Sequence, residues 1–267
     1  MTILDWKDKY RQQQPIALLT AYDATMAQLI ESVEMDGILV GDSLRHTFYG
    51  DNTTVTMSLS DMIYHTKAVK NGAPKTLIIS DMPFMTYNIS VEETLRHATQ
   101  LIQAGAHAVK CEVRSIHVPT IERLIQEGIP VMGHIGLQPQ YIHETGGYTI
   151  KGASNNEKKE LLDLAMRLSD IGAFAIVLEK VPIEVSKEIT AAICCPTIGI
   201  GAGPHCSGHV LVTNDLLGLT PNFSPKFLKR YLNGRDLISD ALRQFKSDIE
   251  SRKFPTKDHG YSNETLQ

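Results

Sequence analysis

TLIISDMPFMTYNISVEETLRHATQLIQAGAHAVKCE (76–112) contains two apolar runs, TLIISDM (76–82) and AVKCE (108–112), with a punctuated helix between them. Ser90 and Glu93 form a capping-box pattern, Val91, Leu95, Ala98 and Ile102 recur at helical spacing, and Gly105 supplies the stop. Both runs are apolar almost throughout rather than alternating, as strands covered on both faces are. The stretch therefore predicts one strand–helix–strand unit of a parallel sheet.

The same rhythm extends in both directions. Further runs are IALLTAYD (16–23), GILVGDS (37–43), PVMGHIG (130–136), AIVLE (175–179), PTIGIGAG (196–203) and HVLVTND (209–215). Ser154 and Glu157 repeat the capping device ahead of Leu161, Leu164, Ala165 and Leu168, with Gly172 as the stop. Pro182 suits the first turn of another helix. Eight strands alternating with helices predict a single α/β domain over 1–267, a (β/α)8 TIM barrel. A doubly wound sheet is the alternative, but Gly199, Gly201 and Gly203 are followed by Pro204, which breaks the dinucleotide-binding pattern. Residues 235–252 place Leu237, Ile238, Ala241, Leu242, Phe245 and Ile249 on one face, predicting a C-terminal amphipathic helix, and 251–267 form a polar tail.

Composition limits the function classes. The chain has 267 residues, 42% hydrophobic and 21% charged, with a formal net charge of −4. That is a globular balance without the basic excess of a nucleic-acid or anionic-membrane surface. No apolar run approaches the roughly 18 residues of a membrane span. The N-terminus MTILDWKDKY has no signal-peptide core. Cys111, Cys194, Cys195 and Cys206 form no disulfide framework, and reduced thiols in the cytoplasm are expected.

Function is suggested by what ends the strands. Asp23, Asp42, Asp81, Glu112, His134 and Glu179 stand at or near the C-terminal ends of six runs. In a barrel those ends form the rim that carries the active site. Several carboxylates held together call for a hard divalent cation, and Mg²⁺ takes one or two carboxylates plus water and substrate oxygens. Asp42 and Asp81 suit direct ligation, with Glu112 beside them or acting through water. Lys110 shares a strand face with Glu112, while Cys111 points the other way. Lys110 either holds a substrate carboxylate or balances the acids. His134 is a candidate site residue or a buried, hydrogen-bonded histidine. Tyr22 and Met82 read as packing, and the long loops 44–57 and 137–157 as lids. His205-Cys206-x-x-His209 resembles a zinc half-site without a second pair.

The stretches LLTAYD (18–23), VGDS (40–43), DMIYHTKAV (61–69), SDMPF (80–84), VMGHIGLQPQ (131–140), GGY (146–148), IGIGAG (198–203) and LVTNDLLGL (211–219) closely resemble the ketopantoate hydroxymethyltransferase family, in collinear order over about 16–250. The resemblance implies a barrel of the phosphoenolpyruvate/pyruvate type, usually a homodecamer of two stacked pentameric rings. It implies transfer of a hydroxymethyl group from 5,10-methylenetetrahydrofolate to 3-methyl-2-oxobutanoate through a Mg²⁺-stabilised enolate, giving 2-dehydropantoate for pantothenate and coenzyme A synthesis. By motif position Asp42 and Asp81 would bind one Mg²⁺ per subunit and, through it, the substrate, with Glu112 as third acidic partner. Ser43 and Lys110 would hold the keto acid, His134 would line the site, and Glu179 would be the base. The chain departs from the family pattern at Arg45-His46, Val113-Arg114 and Ser207. Two other readings share these residues: a different 2-oxo-acid C–C lyase or transferase of the same barrel group, and a weakly active keto-acid-binding paralogue.

Overall fold

Each apolar run becomes a parallel strand: β1 (Ile16–Thr20), β2 (Gly37–Val40), β3 (Ile78–Asp81), β4 (Ala108–Glu112), β5 (Val131–Gly136), β6 (Ala175–Glu179), β7 (Thr197–Ile200) and β8 (Gly208–Leu211). In this computed structural model, which describes residues 1–147 and 149–261, the strands pair in chain order and β8 closes on β1. Tyr148 of the GGY motif and residues 262–267 of the polar tail lie outside the described residues.

Six crossovers are helical: Ala24–Ser32, Leu59–Gly72, Val91–Gln103, Val118–Gln126, Asn155–Asp170 and Ile183–Ala192. Ser90 caps its helix by accepting from the Glu93 N–H at 3.1 Å, but the Glu93 carboxylate turns to Arg96 instead of completing the box. At Ser154 the box is complete. The seventh crossover differs from the expected alternation, because only residues 201–207 join β7 to β8. Gly201 and Gly203 there adopt positive φ, and Pro204 follows, so the segment turns without a helix.

The barrel interior is layered. Inward positions at the N-terminal side are apolar: Ile16 and Leu18, Leu39, Leu77 and Ile79, Ala108, Met132, Ala175 and Val177, Ile198, and Val210 share one buried cluster. Trp6 joins that cluster from the helix Ile3–Arg11, which precedes β1 and was not marked by the strand rhythm. Its indole N–H donates to the Asp36 carbonyl at 2.9 Å, and its ring lies 5.8 Å from that of Phe174. Two residues further along several of the same strands, at the same parity, stand Asp81, Lys110, His134 and Glu179, with Glu112 one step above Lys110. An apolar floor thus passes directly into an ionic rim.

A second unit comprises Asn214–Ser224 and the chain from Lys229 onward, distinct from Met1–Thr213 with Pro225–Leu228. Its main element is the helix Gly234–Glu250. Leu237, Ile238, Leu242, Phe245 and Ile249 on that helix are 44–64% exposed.

Candidate active site

The sheet register determines which rim residues meet. Asp81 pairs with Lys110 across β3 and β4, and Glu112 pairs with His134 across β4 and β5. Lys110 Nζ lies 3.1 Å from Asp81 Oδ1 and 3.2 Å from His134 Nδ1. The Asp42 backbone N–H donates to Asp81 Oδ2 at 2.9 Å, which brings the loop after β2 onto β3. On the other side, His134 Nε2 lies 3.2 Å from Glu179 Oε2. Five of the six rim residues therefore form one network. Asp23 is the exception: it is the N-cap of Ala24–Ser32, its carboxylate accepting from the Met26 N–H at 2.8 Å.

Burial makes this network electrostatically tense. Asp42, Asp81, Lys110, Glu112 and His134 are at most 5% exposed, whereas the Glu179 side chain keeps 20%. Burial pushes the Asp81 pKa up to about 7; Lys110 opposes that shift and Asp42 adds to it. Burial and the neighbouring charge of Asp42 likewise raise the Glu112 carboxyl well above the usual range. For Lys110, burial disfavours the ammonium, but Asp81, Asp42 and Glu112 outweigh it and hold its pKa above normal. His134 is shifted down by burial and by Lys110, with Glu179 opposing. It is therefore held as the neutral ring. With Nδ1 accepting from the ammonium, the ring proton sits on Nε2, facing Glu179.

Three residues carry more of the site than their sequence context suggested. Gln140, in the turn Pro139–Tyr141, is 2% exposed and contacts the acids of two different strand ends. Its Nε2 donates to Asp42 Oδ2 at 2.9 Å and to the Met82 carbonyl at 3.0 Å, and its backbone N–H donates to Glu112 Oε2 at 3.0 Å. Tyr87, fully enclosed, donates its hydroxyl to Gln140 Oε1 at 2.8 Å. Tyr22 does pack, but its hydroxyl also lies 2.9 Å from Ser43 Oγ, which ties that candidate substrate ligand to β1. Gly136 makes room for this geometry at φ +94, where an added Cβ would stand 2.4 Å from the Glu179 carbonyl oxygen.

The unusual arginines turn to local partners. Arg45 pairs with Asp51 and lies over the Tyr49 ring, 4.2 Å from its centroid. Arg114 stacks on Tyr141 at 3.6 Å and pairs with Glu144 at 2.8 Å. Together with Gln140, this anchors the first part of the loop that follows β5.

The donor set suits a hard cation. Asp42 and Asp81 are neighbouring carboxylates, and Glu112 Oε1 is buried without a hydrogen bond. Among the described residues no three His, Cys, Asp or Glu side chains converge as a closed metal cage. A pair of carboxylates that leaves coordination positions to water and substrate is what Mg²⁺ normally uses.

A parallel eight-stranded barrel with its ionic residues on the C-terminal rim defines the class: a (β/α)8 barrel with its polar site where barrel enzymes carry theirs. Solved structures share that fold. They include 2,3-dimethylmalate lyase, itself described as a PEP mutase/isocitrate lyase superfamily member (TM-score 0.62, 16% identity, 99% of this chain and 92% of that one). Another is phosphonopyruvate hydrolase in complex with oxalate and Mg²⁺ (TM-score 0.62, 12% identity, 100% and 94%). The family model for ketopantoate hydroxymethyltransferase matches residues 1–257, and the chain belongs to that family. The 3-methyl-2-oxobutanoate hydroxymethyltransferase of Bdellovibrio bacteriovorus is 42% identical over 261 residues, covering 98% of this chain and 99% of the relative. That of Pyrobaculum arsenaticum is 46% identical over 245 residues, covering 92% of each.

Proposed function

We propose that the chain transfers a hydroxymethyl group from 5,10-methylenetetrahydrofolate to 3-methyl-2-oxobutanoate, giving 2-dehydropantoate. The observation that carries the reading is the rim network itself. Its cationic and acidic members are buried together, while one carboxylate, Glu179, remains partly open beside a neutral histidine.

Asp42 and Asp81 would hold Mg²⁺, with Glu112 beside them. When bound, the ion would supply Lewis-acid withdrawal of charge from the 2-oxo group. Lys110 Nζ forms an ion pair with Asp81 Oδ1 at 3.1 Å and bonds to His134 Nδ1, and its ammonium would also meet the substrate carboxylate. Ser43, steadied by Tyr22, offers a hydroxyl to the same acid. Glu179 takes the C3 proton, and the C–H electron pair becomes the enolate. His134 sets its neutral ring beside the accepting carboxylate, Nε2 lying 3.2 Å from Glu179 Oε2. Water opens the two C–N bonds of the folate-borne methylene, its two protons passing to the departing folate nitrogens and its oxygen staying on the one-carbon unit as an aldehyde. The enolate carbon bonds to that carbon, and the resulting alkoxide takes the proton held by Glu179.

Self-association is part of the proposal, as the homodecamer of the family pattern. The exposed apolar residues of Gly234–Glu250 support burial of that helix in an assembly. A cytoplasmic setting is supported by four free cysteines, and no helix among the described residues is long and apolar enough to cross a membrane.

The test separates proton abstraction from one-carbon chemistry. With Mg²⁺ and no folate, the enzyme should exchange the C3 hydrogen of 3-methyl-2-oxobutanoate with D₂O, followed by proton NMR. Glu179→Gln should slow exchange by about 10²–10⁴-fold, the usual worth of a positioned base. Exchange at the wild-type rate in that variant would remove Glu179 from the role. A panel of 2-oxo acids, with and without folate, distinguishes this reading from other C–C chemistry on the same barrel.

A further inference from the structure

We infer that Gln140 is a positioning residue for the acidic pair: its side chain sets the carboxylate of Asp42, its backbone sets that of Glu112, and the ion affinity of the site depends on it. This rests on the proposed Mg²⁺ site and adds to it a residue that touches neither the ion nor the substrate.

Gln140 has little freedom to do otherwise. Both Nε2 hydrogens are used, on Asp42 Oδ2 and the Met82 carbonyl, and Oε1 accepts from the Tyr87 hydroxyl. Flipping the amide would put Oε1 against two acceptors, so the orientation is determined by its partners. The Tyr87 hydroxyl also lies 3.1 Å from the Glu112 carbonyl, so its single proton is shared between the two acceptors and ties the amide to β4. The consequence lies in which oxygens are taken. Gln140 occupies Asp42 Oδ2 through its side chain and Glu112 Oε2 through its backbone N–H, while Glu112 Oε1 is left buried without a hydrogen bond. One oxygen of each acid is thus pinned, and each carboxylate plane is set by a neutral donor. A cation in this place would clash with the cation site; an amide orients without competing for it.

The test uses the full chain with Mn²⁺ as probe. Free Mn²⁺ is counted by electron paramagnetic resonance in wild type, Gln140→Leu and Gln140→Glu, and folding of each is checked by its thermal transition. Leucine removes both side-chain donors; glutamate keeps the acceptor for Tyr87 and has at most one O–H, so it loses at least one of the bonds to Asp42 and the Met82 carbonyl. The backbone bond to Glu112 survives in both. The dissociation constant should rise about 10–100-fold, as outer-sphere changes at metal sites usually do. In the folate-free exchange assay the loss should appear as a raised metal requirement, with kcat at saturating Mg²⁺ within threefold of wild type. Folded variants that bind Mn²⁺ within threefold of wild type would overturn the inference, and so would a loss confined to kcat at saturating metal. If wild type itself binds no Mn²⁺, the metal reading of Asp42 and Asp81 fails, and this inference fails with it.

Discussion

His134 sits between a cation and a carboxylate: Nδ1 is 3.2 Å from Lys110 Nζ, and Nε2 is 3.2 Å from Glu179 Oε2. The lysine fixes the tautomer, and the tautomer presents an N–H to the residue assigned as base. A histidine in this place acts through Glu179 and is not itself the proton acceptor, because its acceptor nitrogen already faces an ammonium.

Removing the ring nitrogens should therefore slow proton abstraction without abolishing it. In His134→Phe, folate-free C3–H exchange is expected to fall by about 10–100-fold, less than the upper range at stake when a general base is deleted. Measuring kcat and KM separately decides the assignment. A loss equal to that of Glu179→Gln would make His134 the primary acceptor.

Gly136 should resist even the smallest side chain. Alanine there would have to hold φ near +94 and place its Cβ 2.4 Å from the Glu179 carbonyl oxygen. The strained conformation alone costs about 1–3 kcal/mol, and relief of the clash would shift the end of β6. Gly136→Ala should lower both the urea midpoint and the exchange rate. Retention of full activity would show that the rim tolerates movement at Glu179.

Much of this architecture was legible from residue pattern. The runs 108–112 and 175–179 coincide with β4 and β6, β6 being apolar up to its final Glu179, and period-two alternation put Lys110 and Glu112 on one face of β4 with Cys111 on the other. The ends of β1 were less legible because Ala21 and Tyr22 continue the apolar run past the last strand residue. That extension carried Asp23 onto the rim, although the Asp-Ala-Thr-Met sequence is a helix start. Gln140 was passed over for a different reason. A neutral amide beside a proline carries no charge or ligand pattern, and its importance arises from contacts with Asp42 and Tyr87 at separations of 98 and 53 residues.

The buried pair Lys110–Asp81 should be far more costly to break than to delete. Lys110→Met leaves Asp81 and Glu112 without their cation, and loss of one partner of a buried pair costs about 3–5 kcal/mol. The doubly changed Lys110→Met/Asp81→Asn protein should recover part of that stability while remaining inactive. The pH trend has a definite sign. Without the ammonium, Asp81 binds its proton more tightly in the folded than in the unfolded chain, so stability should fall as pH rises from 6 to 8. Urea unfolding at both pH values checks this; an unchanged midpoint in Lys110→Met would contradict the pairing.

A second pH response should come from far outside the rim, at His107. Its Nδ1 accepts from the Ile78 N–H at 3.0 Å, and its own N–H returns a bond to the Ile78 carbonyl at 2.8 Å, so the residue anchors the start of β3. Protonating the ring would remove the acceptor that Ile78 uses. Partial burial and Lys70, whose Nζ is 3.4 Å from Nε2, lower the pKa below that of a free histidine. A folded-state pKa below the unfolded one means that the unfolded chain binds more protons. The contribution is therefore complete above the unfolded pKa of about 6.5 and is lost as pH falls through the folded value. Because the ring is partly exposed, solvent screening keeps the effect under about 1 kcal/mol, or about 1–3 °C in melting temperature. His107→Asn keeps an acceptor in nearly the same place but cannot titrate. Other depressed histidines contribute equally to both proteins, so the difference between their melting curves isolates His107. Between pH 7.5 and 5 the wild type should lose more melting temperature than the asparagine variant, and parallel curves would show that the Ile78 bond does not respond to the ring's charge.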